Sequence, residues 1–172
     1  MIQAFFWLLA GIAIIGALLC ITRRNPVMSA LSLVMTLFAL AGIFVLLDAP
    51  FIAVMQVIVY AGAIMVLFLF VIMLLNVGRP GAGSDIKGLA GKLAAAVLGG
   101  GLAVELLALR RLLPLDAFRL PQGAMGQMTA EKGAVAVIAE PLFRSYLVPF
   151  EITSLLLLAA VVGAVVLAKR RL

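Results

Sequence analysis

Ionisable groups and metal ligands are scarce in this chain of 172 residues. It has no histidine, one cysteine and seven carboxylate side chains. A metal site, or the ligand set of a haem or iron–sulfur cluster, needs several such groups close together, so the composition argues against both. The chain also lacks a nucleophile–base pair and a phosphate-binding loop. We therefore expect no catalytic, cofactor-binding or metal-binding residue, and we expect Cys20, inside an apolar run, to be a packing residue.

Hydrophobic residues dominate what is present. They make up 66% of the chain, against 12% charged residues, and the mean hydropathy is +1.31. Nearly all of them lie in long runs without the alternation of a water-facing element, which predicts an all-α polytopic membrane protein. The net charge is +6, but the basic residues flank the apolar runs, where they orient helices in a bilayer. We therefore expect a lipid environment and no nucleic acid partner.

Five apolar runs predict five transmembrane helices in a single membrane domain spanning 1–172. Eight Lys and Arg residues fall on one side of this arrangement and five on the other, which predicts an outside N-terminus and a cytoplasmic C-terminus. Two carboxylates, Glu105 and Glu151, fall near the outer interface, where they can reach water. The spans are expected at about 2–21, 27–47, 51–76, 88–109 and 146–167, with an outer loop at 110–145.

The third predicted span is unusual in length and in its centre. It has no charge from Phe51 to Asn76, and as an α-helix it would measure roughly 39 Å against a bilayer core of about 30 Å. It must therefore tilt, protrude or depart from a uniform α-helix. Its centre, 60–63, places a tyrosine hydroxyl beside three small residues. A π-bulge, in which one turn holds an extra residue, fits this centre. Alternatively, Gln56 and Tyr60 only bond to a neighbouring helix.

Three stretches resemble one known family. QVIVYAGAIMVLFLFVIML at 56–74 is similar to the third transmembrane segment of the J-type membrane subunits of bacterial NADH–quinone oxidoreductase, respiratory complex I. NPVMSALSLV at 25–34 and YLVPFEITSLLLLAAVVGAVVLAKR at 146–170 support the resemblance. It covers most of the chain and is poorest at 78–92 and 112–143.

The resemblance implies a role that the composition does not give. It implies a non-catalytic subunit of a proton-translocating NADH:quinone oxidoreductase in the bacterial cytoplasmic (inner) membrane. Such a subunit binds no cofactor of its own, and the NADH, quinone, FMN and iron–sulfur clusters of the complex belong to other subunits. The implied partners are the quinone-site subunit, the A-type and K-type subunits and the nearest antiporter-like subunit.

The resemblance also implies that the third span gates a proton path through a π-bulge. The implied bulge residues are Val59, Tyr60, Ala61, Gly62 and Ala63. The hypothesis adds three residues that line the water path: Gln56, Met65 and Phe68. Two other readings stay open, a membrane scaffold and a small transporter subunit, neither with a redox role.

Overall fold

The computed structural model describes residues 1–75, 89–112 and 123–169, and those residues form helices and turns without a strand. The prediction of an all-α membrane protein is thus confirmed. Eight α-helices and one π-helix follow one another along these ranges. They are α1 Ile2–Thr22, α2 Pro26–Leu46, α3 Pro50–Met55, the π-helix Gln56–Ile64, α4 Met65–Leu74, α5 Leu89–Leu112, α6 Ala124–Lys132, α7 Ala134–Arg144 and α8 Leu147–Ala168.

Four of the predicted spans are matched by helices that are long and apolar enough to cross a membrane. Three of these are α1, α2 and α8, and the fourth is the continuous helix Pro50–Leu74, which we call the third span. In α5 the apolar stretch is the shorter segment Leu93–Leu109. The expected end of the third span at 76, the expected start of the next at 88 and the loop residues 113–122 lie outside the described residues.

The first two helices form an antiparallel pair held by close contacts between small residues. Asn25 caps α2 through its side-chain oxygen, which accepts hydrogen bonds from the backbone of Val27 at 3.0 Å and of Met28 at 3.4 Å. In the middle of the pair, a Cβ atom on Gly16 would lie 2.5 Å from Oγ1 of Thr36. A glycine is therefore required there for the two backbones to approach.

A tight turn joins α2 to the third span. Asp48 adopts a left-handed backbone conformation with φ 56°. The Ala49 amide donates to the Phe44 carbonyl at 3.0 Å and the Asp48 amide donates to the Val45 carbonyl at 3.1 Å. These two bonds form a Schellman motif, which ends α2 and satisfies its last carbonyl groups. Pro50 then starts the third span at once, so the two helices are antiparallel neighbours.

The segment predicted as an outer loop contains two helices, α6 and α7, where it is described. They contact each other, and Gly133, with φ 85°, makes the sharp connection between them. We call this pair the α6–α7 hairpin. Its second helix, α7, contacts both α8 and α3. The C-terminal part of the chain therefore lies beside the start of the third span.

Among the described residues, the buried core is built from very small side chains. Most large apolar side chains point outward, as expected where lipid or other chains take the place of water. The buried residues are Ala13, Gly16, Ala30, Thr36, Ala39, Ala41, Ala53, Ala61 and Met65, and Met65 is the one large side chain among them.

Candidate functional site

The centre of the third span is a π-helix of nine residues, Gln56–Ile64. At its end, the Met65 amide donates to the Tyr60 carbonyl, five residues earlier instead of the four of an α-helix. All five residues assigned to a π-bulge from the sequence lie inside this segment. The sequence argument anticipated one extra residue in one turn, whereas the structure has wide turns over the whole nine residues. The third span is therefore not a uniform α-helix.

Gly62 is the glycine of the π-helix and lies near its end. A Cβ atom built on it would lie 3.2 Å from the carbonyl oxygen of Val57, five residues earlier. That separation is closer than an ordinary van der Waals contact, so any side chain at this position presses on the wide turn. The glycine thus avoids a contact that would require the Val57 carbonyl to shift by a few tenths of an ångström.

The buried residues of the third span are four or eight positions apart in the sequence. Ala53 is 4% exposed, and Ala61 and Met65 are each 5% exposed. An α-helix turns about 100° per residue, so each step of four would move the buried position about 40° around the helix. The wider turns of the π-helix oppose this drift. The result is one continuous face packed against α2, the helix that α3, the π-helix and α4 all contact.

The residues assigned to a water path differ in how exposed they are. Met65 is buried against α2, Gln56 is half-buried and Phe68 is 51% exposed. Tyr60 is 53% exposed, as are in part the side chains of its neighbours Val59 and Ile64. Their assignment to one water path stays a prediction, and the exposed Phe68 leaves room for a surface supplied by another chain.

An apolar groove runs between α2 and the first half of the third span. It encloses about 450 Å³. Ala41 and Gly42 of α2 are too small to fill this groove. Val57 and Ile58, at the start of the π-helix, line its other side. The sequence argument did not identify this groove, although an adjacent alanine and glycine in a transmembrane run are a usual signal of close helix contact.

The two carboxylates singled out from the sequence lie away from the π-helix. Glu105 of α5 and Glu151 of α8 are both exposed. Within residues 1–75, 89–112 and 123–169, no group of three or more metal-binding side chains is found. The site is thus defined by backbone geometry and apolar packing, with Gln56 and Tyr60 as the polar side chains of the π-helix.

Comparison with known proteins finds one family over most of the chain. Residues 16–167 match the family model described as NADH-ubiquinone/plastoquinone oxidoreductase chain 6. The chain is 41% identical over 160 residues to the NADH-quinone oxidoreductase subunit J of Pseudomonas aeruginosa, with 92% of each chain covered.

Two further relatives extend the similarity beyond a single bacterial protein. The chloroplastic NAD(P)H-quinone oxidoreductase subunit 6 of Chlorokybus atmophyticus is 37% identical over 180 residues, covering 98% of this chain and 84% of the relative. The subunit J of Rhodobacter capsulatus is 34% identical over 169 residues, covering 96% and 80%. The π-helix lies well inside the matched region.

Proposed function

This chain belongs to the NADH-ubiquinone/plastoquinone oxidoreductase chain 6 family, and from that premise we propose that it is the J-type membrane-arm subunit of an NADH–quinone oxidoreductase. The complex would couple NADH oxidation and quinone reduction to proton translocation. The observation that supports the specific role is a π-helix with a glycine close to the carbonyl of its own wide turn, inside an uncharged span. We propose that the subunit performs no catalysis itself and that the redox groups belong to its partners.

The topology proposed for this subunit has five spans in the bacterial inner membrane. The N-terminus is outside, the C-terminus is cytoplasmic, and α5 provides the fourth span. The distribution of Lys and Arg supports this orientation. The α6–α7 hairpin then lies on the outer side, between α5 and α8.

The partners proposed for this subunit are the quinone-site subunit, the A-type and K-type subunits and the nearest antiporter-like subunit. Support comes from the large unpartnered surface of the chain. The described side chains of α8 are almost all exposed, and α5 packs closely against no other described helix. A span that barely touches the rest of its own chain gains its lateral packing from other subunits or from lipid.

The mechanism proposed for the subunit is a gate driven by backbone geometry. When a π-helix reverts to an α-helix, the helix after it rotates, by about 100° for each residue of winding that is removed. Met65 and Phe68 lie after the turn that contains Gly62. Such a rotation would therefore change which of the two side chains faces a neighbouring water path. The span itself has no charge to carry a proton. The titrating groups of the path would therefore belong to partner subunits.

Purification in mild detergent tests membership of the complex. A tagged chain expressed at its natural level should co-purify with the other subunits and with NADH oxidation activity. Deleting the chain should abolish proton transport driven by NADH in membrane vesicles, and the intact chain should restore it. Recovery of the chain alone, or normal transport without it, would favour a scaffold or a small transporter and refute the assignment.

A further inference from the structure

The α6–α7 hairpin encloses the end of the third span that begins at the Asp48 turn. The two surfaces leave between them a cavity of about 20 Å³, which holds about one water molecule, so their packing is close. Residues 48–52 form one wall. Met125 and Thr129 of α6 and Ala134, Val137 and Ile138 of α7 form the other.

Asp48 joins the turn to the hairpin. A left-handed residue at the end of a helix is usually glycine, because a side chain there is strained. Here the position carries an aspartate, and its carboxylate faces the first turn of α6. A Cβ atom on Gly126 would lie 3.4 Å from Oδ2 of Asp48, which is van der Waals contact, so the carboxylate lies directly beside the α6 backbone. The first-turn amides of a helix lack intrahelical partners and carry partial positive charge, which attracts a carboxylate.

Exposed ion pairs join the two helices of the α6–α7 hairpin, and an aromatic contact joins the hairpin to α8. Lys132 at the end of α6 pairs with Glu140 of α7 at 2.9 Å, and Arg144 pairs with the same carboxylate at 3.3 Å. Phe143 of α7 and Phe150 of α8 meet edge to face, with ring centroids 5.1 Å apart. The hairpin therefore forms a continuous path of contacts from α8 to the start of the third span.

We infer that the α6–α7 hairpin is a clasp that keeps the Asp48 end of the third span fixed to α8 throughout turnover. The contacts place the clasp on α3, one turn before the π-helix begins, and leave α4 outside it. The consequence for proton transport rests on the proposed function. The clasp itself is a structural claim that can be tested separately.

Cysteine cross-linking tests whether the clasp stays closed. In a Cys20→Ala background, Ile52→Cys is combined with Ile138→Cys, since both side chains line the small cavity. The control combines Ile52→Cys with Val135→Cys, because Val135 is exposed on α7. Vesicles that contain the assembled complex are treated with a short bismaleimide, at rest and during NADH turnover.

The expected result is a cross-link with a yield several-fold above the control and equal in both conditions. Proton transport per NADH should be unchanged by it. A yield at the control level would overturn the inference. So would a cross-link that stops proton transport while NADH oxidation by an artificial acceptor continues. Ile52→Cys with Thr129→Cys, on α6, provides the same readout if the first pair does not assemble.

Variants of Asp48 test the contact that holds the clasp. Asp48→Gly favours the left-handed turn and removes the carboxylate, and Asp48→Asn removes only the charge. Loss of a carboxylate at a helix N-terminus should change the ratio of open to closed hairpin about two- to fivefold. Labelling of Ile138→Cys by a bulky maleimide, which needs an open hairpin, should therefore be about two- to fivefold faster in both variants, and unchanged labelling in both would contradict the role of Asp48. If Gly62→Ala leaves transport unaffected while cross-linking behaves as expected, the gate fails and the clasp stands. If the cross-link is absent, the clasp fails whatever Gly62→Ala does.

Discussion

Replacing Gly62 by alanine should shift the third span from the π-helix toward an α-helix. The new Cβ atom would lie 3.2 Å from the Val57 carbonyl oxygen, and relieving an overpacked contact of this kind costs about 1 kcal/mol. In an α-helix alanine is the most favourable residue, so the alternative conformation has no matching penalty. The ratio of π to α conformers should fall about fivefold.

The functional effect follows from how the gate would use both conformers. If the two conformers are similar in free energy, a fivefold change leaves both populated, and Gly62→Ala should lower proton transport only in part. Gly62→Val adds a branched side chain at the same place. Overpacking of up to about 3 kcal/mol corresponds to about 150-fold, which would hold the span in one conformation. We expect Gly62→Val to abolish most coupled transport.

The assay compares two activities of the same membrane vesicles. NADH oxidation by an artificial acceptor reports assembled complex, and NADH-driven acidification of the vesicle interior reports coupled transport. Gly11→Ala in α1 is the matched control, because a Cβ atom there meets nothing within 4 Å. Normal transport in assembled Gly62→Val complex would refute the gate, and so would equal losses in the Gly62→Ala and Gly11→Ala complexes.

Three further predictions follow from other contacts. Tyr60→Phe removes a hydroxyl from an exposed side chain, so assembly should be unchanged, and unchanged transport would reduce Tyr60 to a packing role. Gly16→Val should lower the amount of assembled complex on blue native gels, because its Cβ atom would lie 2.5 Å from Thr36 Oγ1, whereas Gly11→Val should not. The hydrogen bond and charge of Lys132, followed by the charge of Arg144, lower the pKa of Glu140 below its ordinary 4.5. The ion pairs should therefore stabilise the hairpin fully above pH 4.5, and this stabilisation should be lost as the pH falls through the lowered pKa. Hydrogen exchange in α7 should show this loss, and Glu140→Gln should remove its pH dependence.

The positions of the long spans could be predicted from the sequence because each is an apolar run with at most one charge. The second span was expected to start at 27, and the structure begins α2 at Pro26. The excess length of the third span pointed to a departure from α-helix. The number of residues in the π-helix could not be predicted, because the α and π conformations of one sequence differ in small backbone energies and not in hydrophobicity.

The α6–α7 hairpin was missed for a different reason. Its two helices have nine and eleven residues, too short for the apolar periodicity of either to be distinct from a mixed loop. A signal was nevertheless present. Gly123 and Gly133, both with positive φ, precede the two helices, and the apolar residues Ala134, Val137 and Ile138 have the spacing of one helical face. That face is the one that packs on the start of the third span.

The small side chains on the buried face explain why one Cβ atom could decide the state of the third span. Ala53 and Ala61 present only methyl groups to α2, and within a bilayer there is no hydrophobic force to hold a helix in one rotation. Rotating the second half of the span therefore loses few van der Waals contacts at Ala61, each worth about 0.1–0.2 kcal/mol, and the larger loss is at the buried Met65. A local term of about 1 kcal/mol at Gly62 then decides the rotation only where a partner surface replaces the contacts that Met65 loses. With the Asp48 end held by the hairpin, that term would be expressed as movement of α4.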